Sequence, residues 1–356
     1  MSNPFIAGSV SEPKLDKTAN PYHYFLLSEP SRCIRLIRLM GHRDKEALIR
    51  CQIFEYPLQE LGQGVHLYEA LSYVWGSTEG GQLIYIEEGP DGNSTAGKAS
   101  NYSSLHITPN LYAALSHLRN HLLDRVLWVD AICIDQGDTE EKQHQVQLMA
   151  TIYASANRVV VWLGEASKDA DGAFQVLCES ATKEQTSPST PQPVLALLKR
   201  PWFRRIWVLQ EVAVARQVLI KCGPDELDGL VFCSGLDVLK LPHDTYPDLR
   251  SLTPPITYLI RHTTFWPQSR SAANNPNVPR SFFIRPLGQL ADMYHNREAT
   301  NPLDKVYALL GIGSPGPVEI LPDYEAPWEM VFEKLIKLCL PNQISVRVRA
   351  VSWESR

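Results

Sequence analysis

The sequence predicts an α/β protein: an open, mostly parallel sheet with helices on both faces, followed by a mostly helical C-terminal appendage. Two observations carry this reading. Continuous apolar runs at 127–134 (LWVDAICI), 158–164 (RVVVWLG) and 218–222 (VLIKC) have the length and composition of strands buried on both faces. Amphipathic helical patterns alternate with such runs between residues 68 and 222, the order expected of a parallel sheet.

Taken in order, residues 1–30 are polar and proline-containing and read as a loose leader. Two alternating segments, Ile34–Leu39 and Ala47–Phe54, read as a hairpin joined near Gly41, and it opens an α/β domain over 31–222. Tyr68–Gly76 (YEALSYVWG) and Leu83–Glu87 are the next strands. Glu88–Ser104, rich in Gly, Ser and Asn, reads as a loop. Thr108-Pro109 announces a helix, with Thr as cap and Pro in the first turn. The helix leads into the 127–134 strand, which should lie inside the sheet. Asp138 or Thr139 caps the following helix, with Glu140 and Glu141 in its first turn, where the dipole favours acids. Asp169–Cys178 and Val194–Lys199 read as short helices, separated by a surface loop at 182–193. Pro201-Trp202-Phe203 opens an aromatic helix running to Arg216. Residues 223–356 form an irregular and helical extension. Its helices are expected at 287–295, 302–310 and 327–340.

Composition narrows the classes of function. Hydrophobic residues make up 44% and charged residues 21%, an ordinary globular balance, and the net charge of −5 gives no basis for nucleic-acid binding. Seven cysteines, without a CxxC pair, favour a reducing compartment. The N-terminus lacks a signal-peptide pattern and no apolar run is long enough to span a membrane, so a cytoplasmic protein is expected. No GxGxxG, P-loop or GxSxG motif occurs. The isolated histidines have no partners at metal-ligand spacing, and no cofactor is expected.

In open α/β sheets, ligands bind beyond the carboxyl ends of the strands. That rule nominates Asp135 and Gln136 at the end of the 127–134 run, with Ser72, Tyr73, Trp75 and Gly76 bordering the same crevice. Gly76 also fits a turn requiring positive φ. Asp130 lies inside the run, where a carboxylate caps a helix, accepts backbone N–H groups or meets a ligand.

Four segments in this order resemble the fungal heterokaryon-incompatibility (HET) domain: Tyr68–Gly76, Leu127–Gln136 (LWVDAICIDQ), Val159–Gly164 (VVVWLG) and Pro201–Glu211 (PWFRRIWVLQE). Asn301–Gly311 (NPLDKVYALLG) and Pro322-Asp323-Tyr324 match segments found downstream in the same family, although Asp135 stands where the family often has Asn. The resemblance implies a role in fungal non-self recognition and programmed cell death. It also implies a distant kinship with the flavodoxin-like TIR domain of innate immunity, some members of which cleave NAD when they self-associate. In TIR enzymes the helix after the third strand carries a Trp and, four residues later, a catalytic Glu. Trp207 and Glu211 match that pattern here. The resemblance therefore implies Glu211 as catalytic carboxylate, Trp207 as a substrate contact, NAD as substrate rather than cofactor, self-association, and a regulatory protein partner. Two alternatives stand beside it. Glu211 pairs with Arg204, Arg205 or Arg216 as a structural ion pair, or the domain is a non-enzymatic assembly or nucleotide-sensing module.

Overall fold

A computed structural model of the chain describes residues 20–58, 67–87, 102–182, 191–239, 241, 247–263, 284–314 and 320–339. Most of the leader (1–19), most of the 88–104 loop, residues 183–190 of the surface loop and the end of the tail lie outside the described residues.

Nine strands form one sheet: β1 (Cys33–Leu39), β2 (Arg50–Pro57), β3 (Glu69–Ser72), β4 (Gln82–Glu87), β5 (Tyr102–Ile107), β6 (Arg125–Trp128), β7 (Val159–Trp162), β8 (Val218–Cys222) and β9 (Asp225–Asp228). The spatial order is β5-β4-β2-β1-β6-β3-β7-β8-β9. All the expected strand regions, the hairpin included, contribute to this sheet, and β6 is interior. The sheet is mixed, however, not mostly parallel. β6, β3, β7 and β8 are mutually parallel neighbours. The β1–β2 hairpin docks antiparallel against β6 and separates β4 from that parallel set. The reason is visible in β1: Cys33 through Ile37 are buried, so the hairpin's first strand needs cover on both faces and sits inside the sheet. β5 and β9, both antiparallel additions, were not anticipated. β5 begins at Tyr102, inside the stretch read as a loop. Residues 20–28 pack on the domain rather than hanging loose: Tyr22 N donates to Ser104 O, and Arg35 lies over the rings of Tyr24 and Phe25.

The helices between the strands are α1 (Pro109–Leu118), α2 (Asp130–Cys133), α3 (Thr139–Ser155), α4 (Ala173–Thr182), α5 (Gln192–Leu198) and α6 (Trp207–Ala213). Thr108 caps α1 through Leu111 N, and Asp138 caps α3 through Glu141 N, as the sequence signals require. The 127–134 run is not one strand. It leaves the sheet at Trp128 and coils into α2, where Cys133 N donates to Val129 O and Ala131 N to Asp130 Oδ1. Strand and helical turn are both buried, so the apolar run gave no sign of the break. The aromatic helix is likewise divided into a 3₁₀ turn at Pro201–Arg204 and then α6.

Beyond β9 come α7 (Gly229–Leu239), α8 (Pro247–Thr263), α9 (Leu287–Tyr294), α10 (Asp304–Leu310) and α11 (Trp328–Cys339). α8 carries Pro254 and Pro255 internally, which removes the usual helix signature. α8 and α10 pack on α6, and α7 packs on α4 and β8. The fully buried Arg297 donates to the carbonyls of Phe203 and Leu252. Next to it, Glu298 and residues 204–206 exchange backbone hydrogen bonds. These bonds hold residues 298–304 against the start of α6.

Candidate functional site

A cleft of about 540 Å³ opens at the carboxyl ends of β3 and β6. Its lining includes Trp75 and Gly76 after β3, Asp130 and Gln136 around α2, and Lys142 of α3. Arg205 and Trp207 reach it at the start of α6, Asn301 and Asp304 at the start of α10, and Tyr324 before α11. Segments far apart in sequence thus meet at one concavity. Five of the nine nominated residues line it: Trp75, Gly76, Asp130, Gln136 and Trp207.

The other four lie elsewhere. Asp135 faces a separate shallow depression, and its side chain is turned onto its own loop, accepting from Gly137 N at 2.9 Å. Tyr73 is buried directly beneath the cleft. Burial, followed by the charge of Asp130, pushes its phenol well above the ordinary range. Ser72 and Glu211 form a buried layer behind the lining. Ser72 Oγ donates to Glu211 Oε2 and accepts from Trp202 Nε1 at 2.7 Å. The buried Trp202 thus anchors this network.

Glu211 is 2% exposed, and its carboxylate lies 3.8 Å from Arg205 Nη1. The same guanidinium nitrogen donates to the Tyr73 carbonyl. Burial raises the Glu211 pKa to about 7, with Arg205 and the Ser72 hydrogen bond opposing the rise. Asp130 is half-buried and raised for the same reason, against the opposing pull of Arg205 and of Trp75 Nε1, which donates at 2.8 Å. Burial disfavours the Arg205 charge, but Glu211 and Asp130 outweigh it and keep the guanidinium firmly protonated. A single arginine thus serves both carboxylates.

Asp304 was not nominated from sequence. It accepts from Tyr324 OH at 2.9 Å, the Trp207 side chain hydrogen-bonds to it, and burial raises its pKa. Both Asp304 and Tyr324 stand in segments already singled out as family-like, NPLDKVYALLG and PDY, so the signal existed at the level of the motif. Gly76 has φ +75°, and an added Cβ would meet nothing nearer than 3.5 Å. Conformation, not space, requires glycine there. Among the described residues no group of three or more His, Cys, Asp or Glu is arranged to hold a metal ion. The Cys133 thiol is buried and pushed up to about 12, the state of an inert core thiol.

Comparison with known proteins supports the family resemblance. Residues 68–211 match the family described as heterokaryon incompatibility protein (HET). Residues 68–211 carry the HET domain. The chain is also 28% identical, over 85% of its length, to heterokaryon incompatibility protein 6, OR allele, of Neurospora crassa. The alignment covers 51% of that relative, so the chain spans about half the length of the curated protein it matches. No solved structure matches the chain. The HET match contains the residues that reach the cleft from β3, α2, α3 and α6, whereas Asp304 and Tyr324 join it from outside the matched region. No helix among the described residues is long and apolar enough to cross a membrane.

Proposed function

We propose that the chain acts in heterokaryon incompatibility, and that its cleft binds NAD and cleaves the nicotinamide glycosidic bond. The observation that supports this reading is one cleft with aromatic walls and acidic groups, assembled from the family-like segments. The biological role follows the name of the Neurospora relative.

The chemistry suits these groups. Nicotinamide in NAD is a cationic leaving group, so breaking the C1′–N bond sends the electron pair to the ring and leaves positive charge on the ribose. Water then forms the new C1′–O bond and loses its proton. A carboxylate beside the ribose offsets the developing charge and orients the sugar, by analogy with glycosidases. In this reading Asp130 is that carboxylate, because it lines the cleft. Glu211, the residue implied by the TIR resemblance, is a positioning residue that fixes Arg205 from behind. Cytoplasmic self-association, governed by a partner protein, is the proposed trigger. The test is nicotinamide release from the purified chain at rising protein concentration. Release that grows faster than concentration supports both parts, and its absence from an assembled sample removes the reaction.

A second reading is favoured by the burial of Glu211: a non-enzymatic assembly module in which the cleft senses a ligand without turnover. It predicts NAD binding without nicotinamide release.

A further inference from the structure

We propose that the cleft is a recognition site for a flat aromatic monocation, a pyridinium ring, with Asp304 as the carboxylate that selects for positive charge. The biological ligand rests on the NAD reading above, whereas the charge preference rests on the cleft alone.

Three large aromatic side chains line the cavity: Trp75, Trp207 and Tyr324. Both indoles are tied to carboxylates, Trp75 to Asp130 at 2.8 Å and Trp207 to Asp304. With the indole N–H groups committed, what these side chains still offer a ligand is the ring face, which attracts cations. The cleft itself already holds such a contact, since Lys142 Nζ lies 4.8 Å from the Tyr324 ring centroid.

The charge balance points the same way. Asp130, Glu298 and Asp304 line the cleft with Glu211 immediately behind; among the described residues the lining cations are Arg205 and Lys142, and Glu298 pairs with Arg204 at 3.8 Å. Arg205 is engaged by Glu211 and the Tyr73 carbonyl. Asp304 has hydrogen-bond donors but no cation at ion-pair distance among the described residues, Lys142 and Arg205 acting on it only from further away. A cationic ring supplies a compensating charge, and a neutral ring of the same shape does not.

The experiment titrates the full chain with 1-methylnicotinamide, a pyridinium cation with neither phosphate nor glycosidic bond. Neutral nicotinamide and tetramethylammonium serve as comparators, with chemical-shift or calorimetric detection. The cation is expected to bind roughly tenfold more tightly than nicotinamide, through cation–π and carboxylate contacts together. Asp304→Asn, which keeps an acceptor for Tyr324, should remove most of that preference at an unchanged melting temperature. If Asp304→Asn does not fold, Trp75→Ala at the exposed rim should weaken the cation selectively. Equal binding of cation and neutral ring overturns the proposal, as does tetramethylammonium matching the pyridinium. Selectivity without NAD cleavage leaves the site standing and removes the reaction. Cleavage without selectivity does the reverse.

Discussion

Arg205 Nη1 lies 3.8 Å from Glu211 Oε1 and also donates to the carbonyl of Tyr73, which ties α6 to the end of β3 at the floor of the cleft. Glu211, the carboxylate implied by family resemblance, thereby engages the cation that also faces Asp130.

The first prediction concerns pH and stability. The Glu211 pKa is raised by burial from 4.5 to about 7 in the folded chain. Between those values the folded state holds the proton more tightly than the unfolded state. The stabilisation is therefore complete below about pH 4.5 and is lost as pH rises through 7. The span corresponds to on the order of 3 kcal/mol. Melting temperatures measured from pH 5 to 8 should fall more steeply for wild type than for Glu211→Gln, which cannot titrate. Parallel profiles would contradict it.

Ser72→Ala should move that profile. The Ser72 hydroxyl donates to the charged carboxylate and lowers its pKa, so its removal raises the Glu211 pKa further. The same melting series should show the loss of stability displaced to higher pH. Trp202 Nε1 also loses its acceptor, adding about 1–3 kcal/mol of destabilisation at every pH.

A third prediction tests the N-terminal hairpin. Arg35 Nη1 meets Glu141 Oε1 at 2.6 Å with both side chains buried, and Asp135 N donates to the same oxygen. Replacing Arg35 or Glu141 alone should cost about 3–5 kcal/mol by leaving a buried charge unpaired. The double replacement Arg35→Met with Glu141→Leu should cost less than the two single changes added together. Denaturant unfolding of the four proteins measures this coupling, and simple additivity would contradict it.

Much of the fold was legible because its signals are local. β7 is four β-branched or aromatic residues in a row, VVVW, and Thr108-Pro109 and Asp138 mark helix starts by their own chemistry. The mixed pairing was not legible, because docking of β1 against β6 is a contact between residues about 90 apart that no periodicity encodes. The α2 turn was hidden for a different reason: Ile132 and Cys133 are as buried in a helical turn as they would be in a strand. At the site, the strand-end rule located Trp75, Gly76 and Gln136. It also nominated Asp135, but the chain turns at Val129 and brings Asp130, the earlier carboxylate, to the cleft. Asp304 arrives from α10 only through the Arg297 and Glu298 hydrogen bonds, a tertiary arrangement without a sequence period.

The measurement that bears most directly on the central claim is nicotinamide release from NAD by wild type and Asp130→Asn, at matched high protein concentration with melting temperatures recorded. Asp130 lines the cleft and Asn keeps the acceptor for Trp75 Nε1, so the fold should survive. The account predicts release by wild type and a fall of about a hundredfold or more in the folded variant, the scale of losing one transition-state carboxylate. Equal release by the two folded proteins would contradict it.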